Sequence, residues 1–170
     1  LPGDRATSEL IIGWTYDKIG DFDKAIHHYK ETIRSYSENP IMASFAYSYL
    51  AKSLAEIQEK DSALYYCQLA NDIPDKPYWV MVLSNLSIGR AHAILGNKYE
   101  ALKYYNSAKI NSEGAEELQY WLFEITLEEA KLYQNIDEID SAIVFGYEAL
   151  AIAENVGFYS NIIDANRFLA

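Results

Sequence analysis

Ile12-Gly13-Trp14-Thr15-Tyr16 is answered nine residues later by Ala25-Ile26-His27-His28-Tyr29, and this pairing of small with aromatic residues returns three times. Ala63-Leu64-Tyr65-Tyr66-Cys67, Ala101-Leu102-Lys103-Tyr104-Tyr105 and, more loosely, Ala142-Ile143-Val144-Phe145-Gly146 follow at intervals of 38, 38 and 41 residues. Seven residues after each Ala stands another small residue: Thr32, Ala70, Ala108 and Ala149. Twelve residues before each Ala stands Gly13, Ala51, Gly89 or Ala130, and three further on comes Tyr16, Leu54, His92 or Tyr133. Between the two threads lie Gly20-Asp21, Glu59-Lys60-Asp61, Gly96-Asn97-Lys98 and Ile136-Asp137-Glu138. Gly20 and Gly96 suit a helix C-cap, while Asp21, Asp61, Asn97 and Asp137 suit the next N-cap. Each repeat therefore reads as helix–turn–helix.

The small residues have a steric purpose. Antiparallel helices approach to about 8–10 Å only where the side chains at the crossing allow it. The pattern predicts first helices over 6–19, 41–58, 78–95 and 115–135, and second helices over 22–36, 61–72, 98–110 and 138–155. Pro40 and Pro77 are expected at first helical positions, where the missing N–H costs nothing. The segment 73–77 is the Pro-containing joint of the array.

This arrangement resembles the tetratricopeptide repeat, whose signature is W-x2-L-G-x2-Y followed by A-x3-F and a Pro. Ile12-Gly13-x2-Tyr16 with Ala25-x3-Tyr29, and Ile88-Gly89-x2-His92 with Ala101-x3-Tyr105, carry it best. Leu50-Ala51-x2-Leu54 is looser, and Glu129-Ala130-x2-Tyr133 looser still. The signature Trp is replaced by Glu9, Tyr47, Asn85 and Thr126, and the period exceeds the usual 34 residues by about one helical turn. The resemblance implies an all-α fold, an α-α superhelix wound as a right-handed solenoid of antiparallel helix pairs. The chain then reads as a single array with repeats at about 6–38, 41–74, 78–111 and 115–156 and the start of a fifth at 160–170. Leu1, in place of Met, and a last residue falling where a fifth repeat would put its small residue suggest a segment of a longer array. Such lengthened repeats look like those of bacterial regulators and sensors.

Composition narrows the function. With 14 Lys+Arg against 25 Asp+Glu, the net charge of −11 argues against nucleic acid, which needs a basic face. No apolar run reaches the roughly 18–20 residues of a membrane span. The single Cys67 excludes an internal disulfide framework and reads as a buried small hydrophobe. Residues 1–4 carry no signal-peptide pattern, the compartment stays open with the cytoplasm as the simplest setting, and the oligomeric state is not readable.

No constellation points to catalysis, a cofactor or a metal. His27 and His28 are neighbours on a helix and point about 100° apart. His92 stands where other repeats place Tyr or Leu, and Glu116-Glu117 and Glu128-Glu129 read as solvated faces. The tyrosines of the second helices (Tyr29, Tyr65, Tyr66, Tyr104, Tyr105) read as repeat packing.

Binding is the better question. In stacked helix pairs the first helices line the concave side. The residue after each small Gly or Ala should look into that groove, which selects Trp14, Lys52, Arg90 and Lys131, with Tyr49 as an aromatic contact. A Trp and three bases in equivalent places suit an acidic or carboxylate-bearing partner segment, with Arg90 as a forked donor. The competing reading is that these bases pair locally with Glu56, Glu124 or Glu128. The carboxylate clamp that some tetratricopeptide proteins use for chaperone tails is not expected, since Leu10, Trp14, Tyr49, Leu83 and Ser87 fill its places. The sequence thus favours a non-enzymatic scaffold for a protein or peptide. The alternative is a ligand- or peptide-sensing input domain of a larger bacterial transcription factor or sensor kinase.

Overall fold

The computed structural model describes residues 2–36, 39–112 and 115–170; Leu1, the end of the first repeat at 37–38 and the link at 113–114 lie outside the described residues. The described residues form an all-α repeat of antiparallel helix pairs. The helices are α1 (Pro2–Lys18), α2 (Phe22–Ser35), α3 (Pro40–Glu56), α4 (Lys60–Asp72), α5 (Tyr78–Ile94), α6 (Lys98–Ser112), α7 (Gln119–Asn135), α8 (Ile139–Val156) and α9 (Tyr159–Leu169). The second helices begin and end within two residues of their sequence-predicted bounds. α7 begins four residues later than predicted, because Glu116–Leu118 forms a single 3-10 turn that folds Leu118 into the core.

All four hairpins close with the same turn. Backbone N–H groups of Asp21, Glu59, Asn97 and Glu138 donate to the carbonyls of Tyr16, Leu54, His92 and Tyr133 at 2.8–3.0 Å. The residue before each donor is left-handed: Gly20 (φ +80°), Gln58 (+62°), Gly96 (+77°) and Asp137 (+60°). This is the Schellman closure, which satisfies carbonyls orphaned at a helix end. Its geometry corrects the N-cap assignments. Only the Asp21 side chain caps its helix, accepting from the Lys24 N–H. Asp61 lies inside the first turn of α4, Asp137 is the left-handed residue, and the Asn97 amide meets His92 Nδ1 at 3.4 Å. Likewise Pro77 sits one residue before α5, whereas Pro40 does open α3, with Asn39 accepting from the Met42 N–H.

Within a hairpin, small faces large. The ring of Tyr29 lies against Gly13 and that of Tyr105 against Gly89, whereas Ala51 and Ala130 stand in the repeats whose second helices offer Cys67 and Gly146. One turn on, Tyr16 stacks on His28, His92 on Tyr104 and Tyr133 on Phe145, at ring separations of 5.2–5.5 Å. Stacking needs flat rings at matched heights, and the repeat interval delivers them three times. Between hairpins, α3 packs along α5, and Val80, Val82, Leu86 and Ile88 bury α5 on all sides. Trp79 reaches back to Phe45 across that joint, ring centres 6.4 Å apart. Apolar packing is therefore densest in the middle of the array, while α1 meets α3 and α5 meets α7 more sparsely.

Candidate functional site

A groove of about 890 Å³ runs across the first helices, and all five sequence-selected residues, Trp14, Tyr49, Lys52, Arg90 and Lys131, line it. Four of them hold equivalent register positions on α1, α3, α5 and α7. The repeat therefore converts one position in sequence into one surface in space.

Their states differ. Trp14 is 41% exposed, with Lys18 Nζ 5.5 Å from its ring centre. Tyr49 is buried in the groove floor, stacked on Tyr29 at 5.6 Å and edge-on to Phe45 at 4.9 Å. Burial pushes its phenol up to about 12. The bases are committed to carboxylates of this same chain. Lys52 Nζ lies 3.1 Å from Asp17 on α1 and 3.2 Å from Glu56 on its own helix, and Ser53 donates to Asp17 at 2.9 Å. Arg90 Nη2 donates to Glu124 at 2.6 Å and to Glu128 at 3.1 Å, both on α7. Lys131 Nζ also meets Glu128, at 3.0 Å.

The local pairing expected as the competing reading is thus the arrangement present, and its acids are Glu56, Glu124 and Glu128. Two of these links, Lys52–Asp17 and Arg90–Glu124/Glu128, bridge the two joints where first helices pack sparsely. Burial works against the Arg90 charge, but Glu128 and Glu124 outweigh it and hold the guanidinium fully charged. Burial would raise Glu128, yet Arg90 and Lys131 pull its carboxyl below the usual range. Glu128 and Glu129 are not a solvated face: Glu129 is buried, 3.7 Å from Lys109, and burial raises its carboxyl. Glu116 and Glu117 are exposed as expected, and Glu117 accepts from Tyr78 at 2.5 Å.

His28, His92 and the thiol serve packing, whereas His27 is exposed. His28 Nδ1 meets Glu9 at 2.7 Å beneath the Tyr16 ring, and His92 is buried against Tyr104. Cys67 is buried, its thiol pushed up to about 12. Among the described residues no group of three or more His, Cys, Asp or Glu is placed to hold a metal ion, and no helix is long and apolar enough to cross a membrane.

Sequence reasoning missed Asp17 and the end wall formed by Asp164, Arg167 and Phe168 of α9. Asp17 had a signal: it follows Gly13 by four residues, where the other repeats place Ala55, Ala93 and Gln134. The α9 wall had none, because its lining depends on how α9 turns back over α8.

No protein-family model and no curated protein matches the chain. Among solved structures, it is similar to the crystal structure of BtubC (BKLC) from P. vanneervenii, with a TM-score of 0.76 over 99% of this chain and 71% of that chain. At 20% identity the likeness concerns the fold alone, and what it establishes is an all-α fold of helical-repeat type.

Proposed function

We propose that the chain is a tetratricopeptide-type interaction module, without catalytic activity, that holds an extended segment of a partner protein in its concave groove. The observation that carries this reading is the convergence of four register-equivalent residues, Trp14, Lys52, Arg90 and Lys131, on one groove. Support for the repeat type comes from the Gly13–Tyr29 and Gly89–Tyr105 crossings and the repeated hairpin closure, which give the family signature its physical role. The half-exposed Trp14, which lines the groove together with Phe22, supplies the kind of aromatic anchor on which binding energy concentrates.

The test is a selection from a displayed random-peptide library, followed by titration of the selected peptides. Trp14→Ala should weaken binding about 30-fold, the equivalent of a 2 kcal/mol hot spot. Hydrogen-exchange protection should fall on the groove face of α3 and α5. Peptides that ignore Trp14→Ala and protect the opposite face would overturn the reading.

A further inference from the structure

The groove reading leaves open the chemistry of the occupant, for which the sequence suggests an acidic segment. The ion pairs argue the reverse. Each of the two partly buried bases already faces two carboxylates: Lys52 has Asp17 and Glu56, and Arg90 has Glu124 and Glu128. A partner carboxylate could engage Arg90 only by drawing it away from acids that are themselves mostly covered. That would leave carboxylates unpaired in a poorly solvated place, the expensive way to break a buried pair.

A partner cation meets no such obstacle. Lys52 can keep Asp17, whose side chain is only 8% exposed, while Glu56, at 30%, turns to a new cation. Arg90 can likewise keep Glu124 while Glu128 exchanges Lys131, 46% exposed, for a partner's ammonium or guanidinium. Lys131 then returns to water, and no buried charge loses its counter-ion. At long range, five acidic and five basic residues line the groove and cancel, so the whole net charge of −11 lies outside it. That field attracts a basic segment to the chain and repels an acidic one, while the groove itself is neutral.

We infer that the occupant is a basic segment, two of whose Lys or Arg side chains take Glu56 and Glu128; this rests on the groove reading above. Glu56 on α3 and Glu128 on α7 are two helix spacings apart, about 16–20 Å, and are offset by seven register positions, about 10 Å along the axes, which together make about 19–23 Å. An extended chain covers about 3.3 Å per residue, so the two cationic residues stand about six or seven positions apart.

The experiment uses three synthetic peptides of about eleven residues, Leu/Ala-rich and identical except at two positions six apart, filled with Lys, Gln or Glu. They are titrated into the chain by calorimetry at low and high salt. The Lys peptide should bind at least about tenfold more tightly than the Gln peptide, with the Glu peptide weakest, and the advantage should shrink in high salt. The double variant Glu56→Gln/Glu128→Gln should bring the Lys and Gln peptides to the same affinity, with circular dichroism checking the fold. Lys131→Ala should strengthen Lys-peptide binding, because it frees Glu128. Tightest binding of the Glu peptide, or an unaltered Lys advantage in the double variant, would overturn the basic-segment inference. Equal binding of all three peptides with loss in Trp14→Ala would overturn it while sparing the groove. Absence of binding by any peptide, or binding indifferent to Trp14→Ala, would overturn both.

Discussion

The ring of Tyr105 lies so close to Gly89 that a β-carbon built on that glycine would stand 2.5 Å from the ring. Gly89 is helical, and helices ordinarily prefer Ala by about 1 kcal/mol, so the glycine is there for the ring. Gly89→Ala should therefore destabilise the chain by about 1–3 kcal/mol through overpacking, despite the gain in helix propensity. In a Tyr105→Leu background the same change should cost at least about 1 kcal/mol less, since the colliding ring is gone. Urea midpoints of the four proteins give the coupling directly.

Gln58 and Asp137 occupy the left-handed turn position that Gly20 and Gly96 hold in the other repeats. A side chain there costs about 1–2 kcal/mol in backbone strain, and glycine returns part of the gain through unfolded-chain entropy. Gln58→Gly and Asp137→Gly should each stabilise by about 0.5–1 kcal/mol, and Gly96→Ala should destabilise by a similar amount. Thermal midpoints that move the opposite way would contradict the common hairpin closure.

Arg90 holds α5 to α7 through Glu124 and Glu128. Arg90→Met takes the shared guanidinium from Glu124 and leaves Glu128 with Lys131 alone, and should cost about 3–5 kcal/mol. The triple variant Arg90→Met/Glu124→Gln/Glu128→Gln should recover a large part of that loss. Recovery below about 1 kcal/mol would mean that Arg90 acts through its packing and not its charge.

Tyr29 and Tyr105 are fully buried, and their hydroxyls have no hydrogen-bond partner among the described residues. A buried unpaired hydroxyl costs about 1–3 kcal/mol. Tyr29→Phe and Tyr105→Phe should accordingly be neutral or stabilising, in contrast to the usual loss on truncating a core side chain. A loss above about 1 kcal/mol in either would reveal a bound water.

High pH supplies an independent check. Cys67 and Tyr49 are both held protonated up to about 12, each by burial. The unfolded chain ionises Cys67 from about pH 8.5 and Tyr49 from about pH 10. In that window the folded state binds more protons than the unfolded one, so stability is fully present below it and lost as pH rises toward 12. The slope should approach about 1.4 kcal/mol per pH unit for each group, and Cys67→Ala should flatten the part beginning near pH 8.5. A flat stability profile from pH 8 to 11 would refute the burial of both.

The repeat, its period, the bounds of the second helices and the groove-facing register were legible in the sequence, while α1 and α7 begin four residues from their expected starts. They depend on local spacing: Gly13, Ala25 and Tyr29 recur because one crossing geometry recurs, and the residue after each small one inherits a fixed direction. Three decisions needed the tertiary structure. The turn chemistry at Gln58 and Asp137 departs from composition, because a closure imposed by two packed helices overrides the residue's own preference. The sign of the groove's vacant capacity depends on Asp17, Glu124 and Glu128, acids from neighbouring repeats that lie 34–38 residues from the bases they neutralise. The end wall at Asp164 and Arg167 exists only because α9 turns back over α8. A periodic sequence determines what each repeat does to itself; which charges meet between repeats is settled by how far and at what angle one hairpin stacks on the next.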